Sequence, residues 1–550
     1  MNQFRYGLLL VLAVAVAHAA SPPPSLERKG GVTRLLVDGQ PFLIRGGELS
    51  NSNGEPDYLR PSWPKLKLLN LNTVVAPVYW DLVEPREGAF DFATVDSLLA
   101  DARANGMRLV LLWFGSWKNS MSCYVPGWVK TDLARFPRAR DSIGQALEIL
   151  TPFADANRDA DARAFSRLMH HLREADGDLH TVVLVQVENE IGMIPEARDR
   201  CPAADAAFSG KVPAGLMDYL AGHRETLSPE IRERWESSGG RPSGTWTEVF
   251  GEGPATSEIF MAWSFGTYVE AVAAAGAREY PLPLYANAAL IRPGFQPGQY
   301  PSAGPLPHLI DVWRAAAPSL GFISPDIYFP NFTEWADRYA RGGNPLFIPE
   351  ALRSTDASVD SLYAFGACSG IGFSPFGIES IQEPAAGLLR ASNDLVRQLT
   401  PLIVARQGTA RMTALLPPST DSHRPQEIAF GGLVLGVSYE RLESPALADG
   451  VINEAGDRSA TRVPLPAGAI VIQIGADELL IGGIGVTLTF TAPTPGDPHI
   501  GILDCEEGVF EDGQWRHVRW LNGDQTHQGR HVRLEPGRFA LQRVRLYRYH

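Results

Sequence analysis

At 550 residues the chain is too long for one ordinary core, since domains usually run to about 100–200 residues and barrels to about 250 or more, so two domains are expected. Its 45% hydrophobic and 20% charged residues form a globular composition, which excludes a disordered chain. A net charge of −13, with no basic run and no stripe of Lys or Arg among aromatics, excludes nucleic acid and anionic membrane surfaces as partners and suits a neutral polar ligand.

The first residues, MNQFRYGLLLVLAVAVAHAA, read as a secretory leader over 1–20: one cation (Arg5), an apolar stretch over 6–17, and small residues at Ala17, Ala19 and Ala20. The stretch is too short for a stable membrane span, and no later segment reaches about 18 uninterrupted apolar residues. The expectation is therefore an exported product, periplasmic or secreted, with no membrane insertion once the leader is removed. Short β-branched or apolar runs then mark candidate strands at 43–49, 73–80, 108–116, 181–190, 282–290, 322–329, 344–352 and 370–378. Helical periodicity separates them at 94–107, 159–175, 258–278 and 308–318, with a last helix near 385–405. Eight strands alternating with helices predict an α/β fold, a (β/α)8 TIM barrel over 21–405.

From about 410 the texture changes to short alternating runs such as EIAFGGLVLGVSYERL, GAIVIQIGADELLI and GVTLTFTA, broken by Gly, Asn and Pro. These predict a smaller all-β, sandwich-like domain over 406–550, with a hairpin turn at Leu521, Asn522 and Gly523. That domain is expected to pack on the barrel, and Trp515 and Trp520 are its candidate sugar platforms. The four cysteines, Cys123, Cys201, Cys368 and Cys505, form no C-x-x-C pair, which argues against a zinc or thioredoxin-like centre; an oxidising compartment leaves room for one or two disulfides.

A parallel barrel builds its active site at the C-terminal ends of its strands. Two candidate strands end on glutamate there, in LVQVENE and PLFIPE. On the first, alternation puts Gln186, Glu188 and Glu190 on one face and Val183, Val185 and Val187 on the other. With the valines against the helices, Glu190 would sit at the lip and Glu188 one layer down, where a buried carboxylate needs a partner or a proton. Asn189 would point outward unless a bulge turned it in. Alternation alone does not choose between the two glutamates; height along the strand favours Glu190. On the second strand the carboxylate is Glu350, after Pro349, where ladder pairing should stop. Two carboxylates facing one another across a barrel mouth are what glycoside hydrolysis requires.

Read together, these stretches resemble glycoside hydrolase family 35. QVENEIG is similar to the family's acid/base motif, which implies Glu190 as acid/base with Asn189 beside it, and NPLFIPEALR resembles the nucleophile segment, which implies Glu350 as nucleophile. LLVDGQPFLIRGGEL resembles the opening strands, and LNLNTVVAPVYWDLVEPREGAFDF the second-strand segment, with Trp80, Glu84 and Pro85 matching. The likeness covers roughly 33–380. It departs at Pro77, where typical members carry tyrosine, and in WFGSWKNSMSCY, where they carry a glutamate; both positions commonly help to hold galactose. The resemblance implies a bacterial subgroup with a remodelled sugar pocket, acting as a retaining exo-β-galactosidase on oligo- or polysaccharide, with plant cell-wall side chains as candidate substrates.

The supporting candidates are strand-end aromatics and amides, which suit a sugar's apolar face and hydroxyl rim. Trp80 closes strand two, and Trp117 and Asn119 follow strand three, although the tryptophans fit core packing equally, and Asn119 and Lys118 fit loop surface. Tyr328 is placed to donate to Glu350. Glu48, Ser50 and Asn51 follow strand one, and Glu379 follows strand eight. There is no G-x-S-x-G, H-E-x-x-H or G-x-x-x-x-G-K-[ST] motif, and the adjacent His170 and His171 lack metal-ligand spacing. The expected chemistry uses no metal and no cofactor. Two alternatives stand beside it: another β-glycosidase or endo-glycanase of the same clan, and a non-catalytic carbohydrate-binding protein on a hydrolase scaffold.

Overall fold

A computed structural model describes residues 21–291, 294–418, 424–444, 463–494 and 496–550. The predicted leader lies outside the described residues.

The eight predicted strands form, and they close into a barrel. They are β1 (Ile44–Glu48), β2 (Thr73–Tyr79), β3 (Arg108–Lys118), β4 (Val182–Asn189), β5 (Leu284–Ala289), β6 (Phe322–Ile327), β7 (Phe347–Ala351) and β8 (Gly372–Pro375). All neighbours run parallel, and β8 pairs back onto β1. Outside them lie α1 (Ala93–Ala104), α2 (Asp155–Asp176), α3 (Pro254–Glu279), α4 (Ile310–Ala316), α5 (Ala357–Gly366) and α6 (Ala385–Arg406).

Strands buried on both faces must be apolar on both, which is why β2 and β4 read as nearly unbroken hydrophobic runs. Their alternate residues feed two cores. Ile44, Val75, Val110, Leu112, Leu184, Tyr285, Phe322 and Phe347 fill the barrel. Val74, Leu111, Val185 and Val187 pack outward with Phe165, Leu168 and Val272 of the helices, each such burial contributing roughly 1.5–3 kcal/mol. Val183, expected on the helix side, joins the inner core instead. The β3–β4 register steps from Leu109↔Val182 to Val110↔Leu184, so Val183 is the extra residue of a bulge and alternation restarts after it.

The N-terminal end of the barrel is sealed. A hairpin of Ser25–Lys29 and Val32–Val37 places Leu35 and Val37 in the inner core. Asp38, next along the chain, accepts from Arg108 at 2.8 Å and meets the His180 ring nitrogen at 2.7 Å, at the starts of β3 and β4.

Beyond α6, antiparallel strands make a six-stranded and a four-stranded sheet around a shared apolar core that includes Leu435, Leu488, Val471, Ile481 and Val544. Within it Gln426–Phe430 and Leu433–Tyr439 form a hairpin through Gly431 and Gly432, both at positive φ, the conformation a two-residue turn matching strand twist demands. The expected turn at Leu521–Gly523 is not a hairpin. The Asn522 side chain accepts from the Cys505 N–H at 2.7 Å, and the chain continues through a short 3-10 helix to Val532–Leu534 in the other sheet.

The domain packs on the barrel, with Ile470, Ile472 and Leu480 in the same core as Leu362 and Leu395. Gly366 of α5 permits this approach, because a Cβ there would lie 2.9 Å from Ile470 Cγ1. Trp515 packs against this core and bonds Glu506, whereas Trp520 is exposed. All four cysteines are free thiols, so no disulfide forms among them.

Candidate active site

The end of β4 departs from strand geometry. Glu188 (φ +63) and Glu190 (φ +45) are left-handed, and the β3–β4 register jumps from Trp113↔Val187 to Lys118↔Asn189. Side chains therefore stop alternating in the expected sense. Glu188 does not point into the barrel below Glu190. It turns to the helix layer, where its Oε2 accepts the Trp117 N–H at 2.7 Å beside Asp161 of α2. Asp161 accepts from the Trp113 indole at 2.8 Å and from the Ser116 hydroxyl at 2.6 Å. Burial, then the Asp161 charge, holds Glu188 well above the usual carboxylate range, and it is a buried support beside Asp161.

The same bulge turns Asn189 inward. Lys118 Nζ donates to its Oδ1 at 2.8 Å, and its Nδ2 lies 3.4 Å from Glu350 Oε1. An ammonium only donates and a carboxylate only accepts, so the amide has one orientation. Glu190 follows, its N–H donating to Asn287 Oδ1 at 2.9 Å and its carboxylate accepting from Asn119 Nδ2. Asn119 is itself left-handed, and its N–H bonds the Asn189 carbonyl, so the two strand ends lock together.

Glu350 comes from β7, where it lies beside Asp326 of β6 in the ladder. The Tyr328 hydroxyl donates to Glu350 Oε2 at 2.7 Å. Burial and the Glu350 charge push the Tyr328 phenol far upward, so it remains a donor. Single carboxyl oxygens of Glu190, Asp326 and Glu350 all lie within 4.8 Å of one another. Such a set has the spacing to grip a divalent cation, although Tyr328 and Asn287 already donate into it.

Protonation is the other way to hold these acids together. Burial first, then the Glu350 charge, raises Glu190 to about 7, against the opposing pull of Lys118. Asp326 is held well above its usual range by burial and by Glu350 and Glu190, and Asn287 donates to it at 2.6 Å. Glu48, fully buried, is raised by burial and by Glu350. Lys118, 4% exposed and 5.2 Å from the centroid of the Phe114 ring, is the cation set among them.

The structure thus brings together Glu190, Glu350, Asn189, Asn119, Tyr328 and Glu48 of the predicted residues. It does not bring in the others. Trp80 starts a short helix rather than ending β2, so it leaves the strand's inward row; its indole donates to Glu84 at 3.0 Å against Trp113 and Trp128. Trp117 sits on the outward side of the β3 bulge, donating to the Leu150 carbonyl at 3.2 Å with its ring edge against Phe265 and Tyr268. Both are fully buried core residues. Trp117→Ala is accordingly expected to cost about 3–5 kcal/mol of unfolding free energy in a denaturant titration, with KM unchanged in the folded fraction; a selective rise in KM would make it a sugar platform after all. Glu379 Oε1 accepts from Ser50 Oγ at 2.6 Å and Asn53 Nδ2 at 2.8 Å, and its Oε2 accepts from the Ser50 N–H at 3.3 Å, clamping the loops after β1 and β8. Asn51 lies in that clamp, its carbonyl accepting from the Tyr79 hydroxyl at 2.8 Å.

Asp326, Asn287 and Lys118 carry roles the sequence reading did not assign. Asp326 had a signal, an acid in the otherwise apolar FISPDIYF. Asn287 had a weaker one, an amide within LYANAA, and Lys118 is inward only because of the bulge.

Comparison with known proteins bears on residues of both domains. Residues 57–238 match a family model described as β-galactosidase, Glyco_hydro_42, and residues 389–533 match a domain of unknown function, DUF5597. A β-galactosidase of Xanthomonas manihotis is 30% identical over 193 residues, which are 34% of this chain and 30% of that one. β-Galactosidase 14 of Arabidopsis thaliana is 30% identical over 98 residues, 16% of this chain and 11% of that one. The chain spans about a third or less of the length of these relatives. Among solved structures, a β-galactosidase from Rahnella sp. R3 superposes with a TM-score of 0.45 at 16% identity, covering 65% of this chain and 56% of that one. A GH42 β-galactosidase from G. stearothermophilus gives 0.46 at 15% identity, covering 67% and 58%. Over residues 57–238 the barrel is similar in sequence to β-galactosidases of the glycoside hydrolases.

Proposed function

From a barrel similar in sequence to β-galactosidases, we propose that the protein is an exported, retaining exo-β-galactosidase that releases terminal β-linked galactose from oligo- or polysaccharide. The observation that carries this reading is the approach of Glu190 and Glu350, one carboxyl oxygen of each lying within 4.8 Å of the other. Retaining pairs stand about 5–5.5 Å apart, whereas inverting pairs stand about 6.5–9.5 Å apart to admit a water.

Glu350 Oε1 or Oε2 attacks the anomeric carbon as the bond to the leaving oxygen breaks, and Glu190 gives its proton to that oxygen. The product is a glycosyl ester on Glu350. Water then attacks the same carbon, Glu190 takes its proton, and the ester bond breaks to return a free Glu350 carboxylate. Tyr328 and Asn189 steady the nucleophile, with Lys118 fixing the amide of Asn189. Every atom and proton is supplied by substrate, water and these side chains.

Family membership within this chemistry is part of the proposal. The QVENEIG and NPLFIPEALR stretches favour family 35, while the matched model over 57–238 is that of family 42; both likenesses name β-galactosidase. The test is 1H NMR of the first sugar released from 4-nitrophenyl β-galactoside. β-Galactose should form first and mutarotate later. α-Galactose forming first would overturn the double displacement, and no turnover would favour the binding-protein alternative.

A further inference from the structure

Beside the barrel mouth, where the two domains meet, lies a cleft of about 300 Å3. The barrel lines it with Tyr328, Phe332 and Asp360, and the β-domain with Leu416, Pro417 and Arg441. Tyr328 belongs to both places. The residue, 36% exposed, lines the cleft, while its hydroxyl donates to Glu350 at 2.7 Å. The cleft therefore begins one side chain away from the candidate nucleophile.

Its chemistry is that of a sugar site. Aromatic and proline walls suit the apolar face of a pyranose, and a carboxyl and a guanidinium suit its hydroxyls. Arg441 is held in place from both domains, by the Asp356 carboxylate of the barrel and by the Leu465 carbonyl, which accepts from its Nε at 3.2 Å. The volume lies at the lower end of the roughly 300–1,000 Å3 range of small-molecule sites.

We propose that this cleft binds the sugar residues on the leaving-group side of the scissile bond, so that the β-domain takes part in substrate recognition. The proposal rests on the exo-glycosidase reading. An enzyme that removes a terminal sugar holds nothing beyond that sugar on its other side, so whatever lies outside the mouth next to the catalytic pair meets the remainder of the chain.

The test compares kcat/KM for 4-nitrophenyl β-galactoside, lactose and β-1,4-galactotetraose in wild type, Thr333→Trp and Arg441→Gln. Thr333 is a partly exposed lining residue, so tryptophan there fills the cleft without entering the core. Arg441→Gln removes the charge, and thermal melts verify that each variant is folded. The wild type should prefer the tetraose to lactose by about 10-fold. Each variant should lose most of that preference through KM, with the aryl galactoside within about 2-fold of wild type. Absence of the preference, or equal losses on all three substrates, overturns the cleft while leaving the glycosidase reading intact. No hydrolysis of any of the three by wild type overturns both.

Discussion

Glu350→Gln is expected to lower kcat on an aryl β-galactoside on the order of 10,000-fold or more, the scale of losing a nucleophile that acts as part of a unit. That factor corresponds to about 5.5 kcal/mol of transition-state stabilisation. Glutamine keeps the shape of the side chain and can still meet Tyr328, but its amide cannot form the ester. The variant should therefore fold and retain substrate affinity, which separates loss of chemistry from loss of structure. It also removes the charge that helps raise Glu190, Glu48 and Asp326, so melting temperature at neutral pH should not fall. Activity within about 10-fold of wild type would remove Glu350 from the nucleophile role.

Glu190→Gln should cost about 100–10,000-fold, the range of a general acid/base, with the size set by the leaving group. A 2,4-dinitrophenyl group departs without protonation, so glycosyl-enzyme formation is spared and its hydrolysis becomes limiting. Added azide should then restore turnover and yield a β-galactosyl azide, because an anion needs no base. On the proposed mechanism the acid must be protonated for the first step, so with Glu190 raised to about 7 the wild-type kcat/KM should fall as pH rises through that value. That limb should vanish in the variant. Linkage gives a second readout. The folded value of Glu190 is raised above the unfolded value of about 4.3, so its contribution to stability is fully present below about 4.3 and is lost as pH rises through about 7. Glu190→Gln should therefore gain stability relative to wild type at pH 8 and show no such gain at pH 4. A wild-type profile flat from pH 6 to 9 would count against this assignment.

Much of this was legible in the sequence, because a parallel barrel imposes a simple rule on its strands. Residues buried on both faces must be apolar throughout, so TVVAPVYW and TVVLVQVENE declare themselves, and polar residues at their ends stand out. The same rule singled out Glu190, Glu350 and Tyr328, which the structure brings together at one end of the barrel. It failed where the backbone leaves the strand. Glu188, Trp117 and Lys118 were misjudged together, since all three depend on one register jump between β3 and β4 that no pattern of residue types displays. Trp80 failed for a related reason, as helix begins at the residue where strand was expected to end. Asn287 and Asp326 lie in predicted strands; what was missing was the chain of bonds across the neighbouring strands β4, β5 and β6, in which the Glu190 N–H donates to Asn287 and Asn287 donates to Asp326.

Among the described residues, the hairpin and the apolar core above it close the N-terminal end of the barrel, so the site opens at the other end. Substrate, water and both products must use the same opening, so their order of traffic is fixed by the fold. The remainder of the sugar chain has to clear the doorway before the hydrolytic water can arrive, and released galactose leaves by the route the next substrate must take. On the proposed activity, free galactose is then a competitive inhibitor, and a slow-departing remainder would hold back the second half of each turnover rather than the first.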